Sequence, residues 1–355
     1  MASPTLKDVA DHAGVGMSTV SRVLNGSMRV SDRTREKVLA AIEALGYRPA
    51  SLPRPAFSGP TFTIGAAVPF FTFPSFIERL AGVQSVMDQF ADRLVMYSIR
   101  GPCQLLEQLR LMVRQDRVDG LLVMTLRFPE SDVRRAKPEI PIVVIDSETT
   151  VLYPHNKIDN VAGGRLAAEY LIQRGHRDIG FIGDLRDDTF GFTSAYQRLE
   201  GCQQALEQAG LPINPDWYRF GEHSPESARS NAEQILGLPK RPTALFASCD
   251  TLALGVLDAA QTLGLRVPDD VAVIGFDDIP TAHYVNLTTV HQPLFESGQW
   301  GARTLINWLQ DGAPDRDVWE WDMPLMVIER STALRCDRLV YGNQTASGVR
   351  VFSRI

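Results

Sequence analysis

Apolar positions follow two different rhythms along this chain. In the first forty-six residues they recur at intervals of three and four: at 100° per residue Val20, Val23 and Leu24 fall on one side of a helix, and Val38, Ile42 and Leu45 repeat the spacing further on. From Phe62 onward the rhythm changes to short, β-rich apolar runs: TIGAAVPF, LVMYSI, GLLVMT, PIVVID, DIGFIGD, ALFASCD and VAVIGFDD. Stretches of helical length and periodicity lie between them, near 74–90, 103–116, 160–174, 193–209, 225–237 and 250–263. The first rhythm predicts a small all-α unit, and the second predicts parallel sheets with crossover helices. Two sets of such units predict two doubly wound lobes.

Within the helical unit, Thr5 followed three residues later by Asp8 is a capping-box arrangement that opens a helix, and Gly14 closes it. A second helix over 17–25 stops at Gly26, and a third runs from Ser31 to Gly46, with Ala10 leaving room for the first two to cross. If Val20, Val23 and Leu24 are core, then Met17, Ser18, Ser21, Arg22 and Asn25 share the opposite face. That face is polar and rich in donors, and its arginine can reach guanine O6 and N7 bidentately. The pattern predicts a helix-turn-helix whose second helix enters the major groove.

The strings TLKDVADHAGV, STVSRVLNG and EKVLAAIEALGYRP resemble the LacI family of bacterial repressors closely. The resemblance implies that Met17, Ser18 and Arg22 read bases, and that Thr5, Ser21, Asn25, Ser31 and Thr34 contact phosphates. Gly16 departs from the Ser or Thr common in the family, which removes a side-chain cap and one phosphate contact. Charge is distributed accordingly. The net charge is −6, yet residues 1–60 carry eight Lys/Arg against five Asp/Glu, a local +3, which places basic charge where phosphates would be met.

After Tyr47 the stretch RPASLPRPAFSGP, with Pro49, Pro53, Pro55 and Pro60, reads as a linker. In the LacI family this region forms a hinge helix on the operator, and a leucine from each of two subunits wedges into the minor groove. Ala56 stands at the leucine position here, and Pro53 and Pro55 each remove a helical N–H. Phe57 is a substitute wedge, or it packs on the body. The rest of the chain, by resemblance, is a two-lobed type I periplasmic-binding-protein-like body that crosses between lobes three times. The expected divisions are a head at 1–48, a hinge at 49–61 and a body at 62–340, with 341–355 a tail left unassigned. Within the body the first lobe takes 62–160 and 293–322, and the second takes 161–292 and 323–340.

Ligands of open α/β sheets bind beyond the carboxyl ends of the strands, so the two lobes would present a cleft there. VIGFDD places Asp277 and Asp278 after an apolar strand. Asp277 stands at the family's effector position, whereas Asp278 reads better as a cap on the following turn. Arg198 in SAYQRLEGC matches an arginine that the family uses as a forked donor. ALFASCD puts Cys249 where relatives commonly have Asn, exchanging a good hydrogen-bonding group for a poor one; Asp250 reads as the N-cap of the next helix. Phe73, Ser75 and Phe76 in FFTFPSF align with pocket positions, with Phe76 equally suited to the core. Phe192 and Ser194 precede Arg198, and His223 is either an aromatic stacker or a solvated loop histidine.

Composition excludes several other classes. With 355 residues and 44% hydrophobic content the chain can bury a large core. Cys103, Cys202, Cys249 and Cys336 are scattered without a C-x-x-C pair, which argues against zinc and against a disulfide framework. The N-terminus lacks the order of an export signal, and no apolar run approaches membrane length. No H-E-x-x-H or G-x-S-x-G occurs, so no catalytic residue, cofactor or metal is expected. The sequence therefore predicts a cytoplasmic, dimeric repressor that reads a pseudo-palindromic operator and responds to a carbohydrate-like effector. A purine-responsive, corepressed regulator is the alternative, and the direction of the response is left open. Cys249 in place of Asn, and Phe192 in place of Arg, depart from both usual pockets.

Overall fold

A computed structural model describes residues 5–24, 30–45, 61–90, 93–99, 101, 118–126, 140–147, 153–185, 190–334 and 351–352. Asn25, the hinge with Ala56 and Phe57, the stretch 103–116, Cys103 and Cys336 lie outside the described residues. The chain divides into two compact units, residues 1–60 and 61–355.

The first unit holds α1 (Leu6–Ala13), α2 (Met17–Leu24) and α3 (Asp32–Leu45). Thr5 caps α1 reciprocally: its hydroxyl accepts from the Asp8 N–H at 3.3 Å, and the Asp8 carboxylate accepts from the Thr5 N–H at 2.7 Å. Gly14, at φ 65°, ends the helix in the left-handed conformation that glycine adopts without a Cβ clash. Val9, Ala10, Val20, Val23, Val38 and Ala41 are buried together, with Leu6, Val15, Val30, Ile42 and Leu45 packed around them. Each helix thus donates its apolar stripe to one miniature core.

The second unit is built on two sheets. The first contains β1 (Thr63–Val68), β2 (Arg93–Ser98), β3 (Gly120–Met124), β4 (Ile142–Ile145), β5 (His155–Lys157) and β11 (Glu320–Asp322), in the order β11-β5-β4-β3-β1-β2. All its pairings are parallel. The second contains β6 (Ile179–Asp184), β7 (Tyr218–Gly221), β8 (Ala244–Ala247), β9 (Ala272–Asp277), β10 (Thr288–His291), β12 (Met326–Ile328) and β13 (Val351–Phe352). Its order is β13-β12-β10-β9-β8-β6-β7, parallel except where β12 runs against β10. Strands β3, β4, β8 and β9 are buried along their whole length, as continuous apolar runs must be when helices cover both faces. The tail, unassigned from the sequence, adds β13 beside β12 at the sheet edge.

The chain passes from the first sheet to the second after β5, returns after β10, and passes over again after β11. Glycines make the close helix crossings in both lobes, and a further pair in the second lobe, Pro225–Leu236 and Asp250–Thr262, meets at Gly255. In the first lobe α4 (Pro74–Phe90) meets α10 (Leu294–Asp311) at Gly82 and Gly298. In the second α5 (Asn160–Gln173) meets α6 (Ser194–Gln208) at Gly164 and Gly201. A Cβ on Gly164 would overlap the backbone carbonyl of Arg198. Gly164→Ala is therefore expected to push α6 outward at Arg198 and to lower stability by about 1 to 3 kcal/mol, the usual cost of overpacking. Urea denaturation checks the loss, and an unchanged midpoint would show that the helices separate freely.

Candidate functional site

In the first unit, α2 turns Val20 and Val23 inward and leaves Met17 (54% exposed), Ser18 and Arg22 on the surface, while Ser21 is half-buried. At the start of α3 the hydroxyls of Ser31 and Thr34 lie 2.9 Å apart. Thr5 is exposed, but its hydroxyl donates to Asp8 at 2.7 Å, so a phosphate there would have to replace that bond. Asp8 itself is held below the usual carboxylate range by the hydrogen bonds from Thr5.

Between the two lobes lies a cavity of about 430 Å³. Its lining includes Phe73, Ser75 and Phe76 from the first lobe, and Phe192, Ser194, Arg198, His223, Cys249 and Asp277 from the second. Phe76 serves two purposes, for it is 7% exposed and also belongs to the first-lobe core. Sequence reasoning did not single out Arg79, Asp146, Asn160, Asp184 or Gln292, which line the same space. Asp146 and Asp184 follow apolar strands just as Asp277 does, so the strand-end rule applied to every strand would have found them. Arg79 left no such signal, because it stands within an apolar helical run.

The buried Arg198 is the best-anchored group. Its Nε donates to Asn160 Oδ1 at 2.9 Å and its Nη1 to the Ser248 carbonyl at 2.5 Å, while the guanidinium lies 3.6 Å over the Phe276 ring. Nη1 is also 3.7 Å from Asp277 Oδ1. Asp277 and Asp278 both have positive φ, 111° and 59°, values that L-residues seldom adopt. This reversal sends their carboxylates to different partners. Asp277 receives Gln292 Nε2 at 2.5 Å, and burial pushes its carboxyl up despite the opposing Arg198 charge.

Two readings of strand-end carboxylates need correction. Asp278 does not cap the turn: it accepts from Arg330 Nη2 at 2.6 Å and pairs with His291 Nδ1 at 3.0 Å. Burial raises its pKa, but these partners outweigh it and hold the carboxyl below its ordinary value. Asp250 is not an N-cap either, because α8 (Asp250–Thr262) begins at Asp250 and the cap position is Cys249, which makes no side-chain capping bond. The Asp250 carboxylate accepts from the Ile279 N–H at 2.9 Å and from Thr289 Oγ1 at 2.6 Å, tying the loop after β9 in place. Burial, then the charge of Asp277, pushes this carboxyl well above its usual range.

The Asp278 contacts carry a pH prediction. A carboxyl whose folded pKa is depressed adds stability above its unfolded pKa, and that stability is lost as pH falls through the folded value. Asp278→Asn should therefore cost about 1.5 to 3 kcal/mol at neutral pH, the usual worth of hydrogen bonds to a charged group, and should flatten the acid limb of stability against pH. Urea midpoints for both proteins across that range would test it; parallel curves would remove Asp278 as the cause.

A polar chain crosses between the lobes. Asp146, at the end of β4, pairs with Arg79 on α4; Arg79 Nη2 donates to Gln292 Oε1 at 3.3 Å; and Gln292 donates onward to Asp277. Gln292 lies in the crossover between β10 and α10, so it joins the charged ends of both lobes. At the cavity mouth an aromatic stack also spans the lobes. Phe70 stacks on Phe73 at 4.9 Å, and Phe73 stacks on His223 at 4.3 Å and 13°. His223 Nδ1 lies 2.8 Å from Asp184 Oδ1. Burial pulls the histidine pKa down, but the Asp184 bond and charge, with the charge of Asp277, leave it raised.

Comparison with known proteins agrees with both units. Residues 5–50 match the family described as bacterial regulatory proteins, lacI family, and residues 168–333 match a periplasmic binding protein-like domain. The chain is 37% identical over 334 residues to the HTH-type transcriptional repressor PurR of Photorhabdus laumondii, covering 92% of this chain and 96% of that protein. The repressor of the same name from Yersinia pestis is 37% identical over 336 residues, covering 93% and 97%. Among solved structures, a lac repressor dimer bound to operator and the anti-inducer ONPF superposes with a TM-score of 0.68 at 28% identity, covering 94% of this chain and 100% of that one. The regulator CelR in complex with cellobiose gives a TM-score of 0.64 at 29% identity, covering 93% and 99%.

Proposed function

The chain belongs to the LacI family of bacterial regulatory proteins, DNA-binding repressors without enzymatic activity, and on that premise we propose that it is a dimeric cytoplasmic repressor whose operator affinity is set by a neutral, polyhydroxylated effector in the inter-lobe cleft. In this reading Met17, Ser18 and Arg22 read bases, Thr5, Ser21, Asn25, Ser31 and Thr34 position the phosphates, and Ala56 or Phe57 meets the minor groove. Among the described residues, no helix is long and apolar enough to cross a membrane.

The observation that carries the effector class is the charge of the cavity wall. Among the described residues that line it, Asp146, Asp184, Glu222 and Asp277 face only Arg79 and Arg198 as fixed positive charges, and both arginines are already paired with aspartates. A phosphorylated or carboxylated ligand would add negative charge to an acidic wall. Hydroxyl groups instead supply donors to the carboxylates, while the Phe192 ring suits sugar C–H surfaces. The coupling is linkage: a ligand that prefers one lobe arrangement shifts operator affinity by its differential affinity alone.

The purine reading keeps one observation in its favour beyond the PurR relatives. The Phe73 and His223 rings are parallel, and if the lobes parted by one ring thickness, about 3.4 Å, a planar base would fit between them. The experiment is selection of genomic fragments by the purified protein at near-physiological salt, because low salt inflates non-specific affinity. Neutral sugars, sugar phosphates and purine bases are then titrated against the selected site. Enrichment of a palindrome with a response to neutral sugars is the expected result. A response to purines alone would replace the carbohydrate class, and failure to enrich any palindrome under every condition would overturn the regulator.

A further inference from the structure

We propose that Asp184, His223 and Cys249 form a binding site for a thiophilic divalent cation of the zinc class inside the cleft. Asp184 ends β6, His223 follows β7 and Cys249 follows β8, and these three strands are neighbours in the sheet. One ligand atom from each residue lies within 4.8 Å of the other two. A tetrahedral ion with bonds of about 2.0 to 2.3 Å holds its ligands roughly 3.3 to 3.8 Å apart, so no gap has to close by more than about 1.5 Å. The closest pair, His223 Nδ1 and Asp184 Oδ1 at 2.8 Å, needs to widen slightly as an ion replaces the shared proton. Oxygen, nitrogen and sulfur together are the donor set of zinc rather than of calcium or magnesium.

The surroundings favour a cation. The Cys249 thiol is 3% exposed and lines the cavity, and burial with the charges of Asp184 and Asp277 pushes its pKa well up. The same negative field that disfavours a bare thiolate attracts a divalent ion, which then makes the thiolate stable; the thiol proton, and the ring proton of any charged His223, leave to solvent. Arg198 opposes this field with a single charge. Ser248 Oγ, 3.4 Å from Asp184 Oδ2, steadies the carboxylate. Cys249 has no capping role to lose, because its side chain makes no capping bond. The fourth position opens on the cavity, where water or an effector hydroxyl can complete the shell. Since the His223 ring stacks on Phe73, an ion held here would also brace the ring through which the lobes touch. The scattered cysteines, without a C-x-x-C pair, argued against zinc in the sequence, but the site draws a single cysteine and takes its other two ligands from neighbouring strands.

The test uses the full chain, reduced and freed of metal with a chelator, and titrated with Co²⁺ in place of zinc. It needs neither operator nor effector, so its outcome is independent of the regulator reading. The expected result is one equivalent of bound cobalt, with a thiolate-to-metal charge-transfer band and tetrahedral ligand-field bands, bleached by added Zn²⁺. Cys249→Ser should abolish the charge-transfer band, Cys202→Ala should keep it, and Asp184→Asn and His223→Ala should each weaken cobalt binding at least roughly tenfold. Absence of the band in the wild type, its survival in Cys249→Ser, or unchanged affinity in both the Asp184 and His223 variants would overturn the site.

Discussion

Replacing Arg22 with alanine is expected to lower operator affinity by about 1 to 3 kcal/mol for each half-site, and to relax base preference at one position of that half-site. The expectation starts from α2. With Val20 and Val23 sealed into the head core, Arg22 is left on the surface beside Met17 and Ser18. A guanidinium presents a fixed fork of donors that matches guanine O6 and N7, whereas a phosphate accepts from any cation. Binding of the purified variant to the selected site, and to a panel with single base changes, separates the two roles. Loss concentrated at one base pair would assign Arg22 to base reading. A uniform loss across the panel, with a shallower salt dependence, would make it a phosphate contact.

Removing the Asp277 carboxylate should have the larger effect on regulation. Asp277→Ala is expected to raise the effector concentration for half-response by at least about a hundredfold, the equivalent of about 2.8 kcal/mol. Asp277 is the junction of the cleft: Arg198 approaches it from α6, and Gln292 donates to it from the crossover that leads to Arg79 and Asp146. Deleting it removes the proposed ligand acceptor, leaves the buried Arg198 charge without its carboxylate, and detaches the crossover from the second lobe. A buried charge stripped of its partner is costly, so the cleft suffers more than the contact alone would suggest. Effector titrations of the variant against operator-bound protein would measure the shift, and urea midpoints measured alongside report whether the fold survives. An unaltered dose response in a folded variant would take Asp277 out of the site.

Gln292 ties the crossover to both lobes. It accepts from the first-lobe arginine and donates to the second-lobe aspartate, so its neutral amide satisfies both neighbours at once. A Glu there would present a second carboxylate to Asp277, and a Leu would leave Arg79 and Asp277 each short of a partner. The polar chain therefore holds the two lobes together through matched donors and acceptors.

What could be read from the residues alone is what depends on neighbours within one element. The Thr5–Asp8 box, the Gly14 stop and the inward set of Val20, Val23 and Val38 are relations of three or four residues, set by the helical period. The apolar runs of β3, β4, β8 and β9 announce strands covered on both sides, and the rule that ligands gather at strand ends led to Asp277. Resemblance added Arg198, which no period distinguishes from a solvated helix arginine. Tertiary structure alone decided which partner each polar group takes. Asp250 looked like a cap because capping is a local rule, but its carboxylate is claimed by Thr289, 39 residues on. Asp278 goes to Arg330, 52 residues away, and Arg79 to Gln292, 213 residues away. His223 meets Phe73 only because two lobes close on each other, and it meets Asp184 and Cys249 only because β7, β6 and β8 lie side by side. Backbone periodicity repeats every few residues and is written in the pattern of side chains; a buried charge finds its partner through the order of strands, which no local pattern encodes.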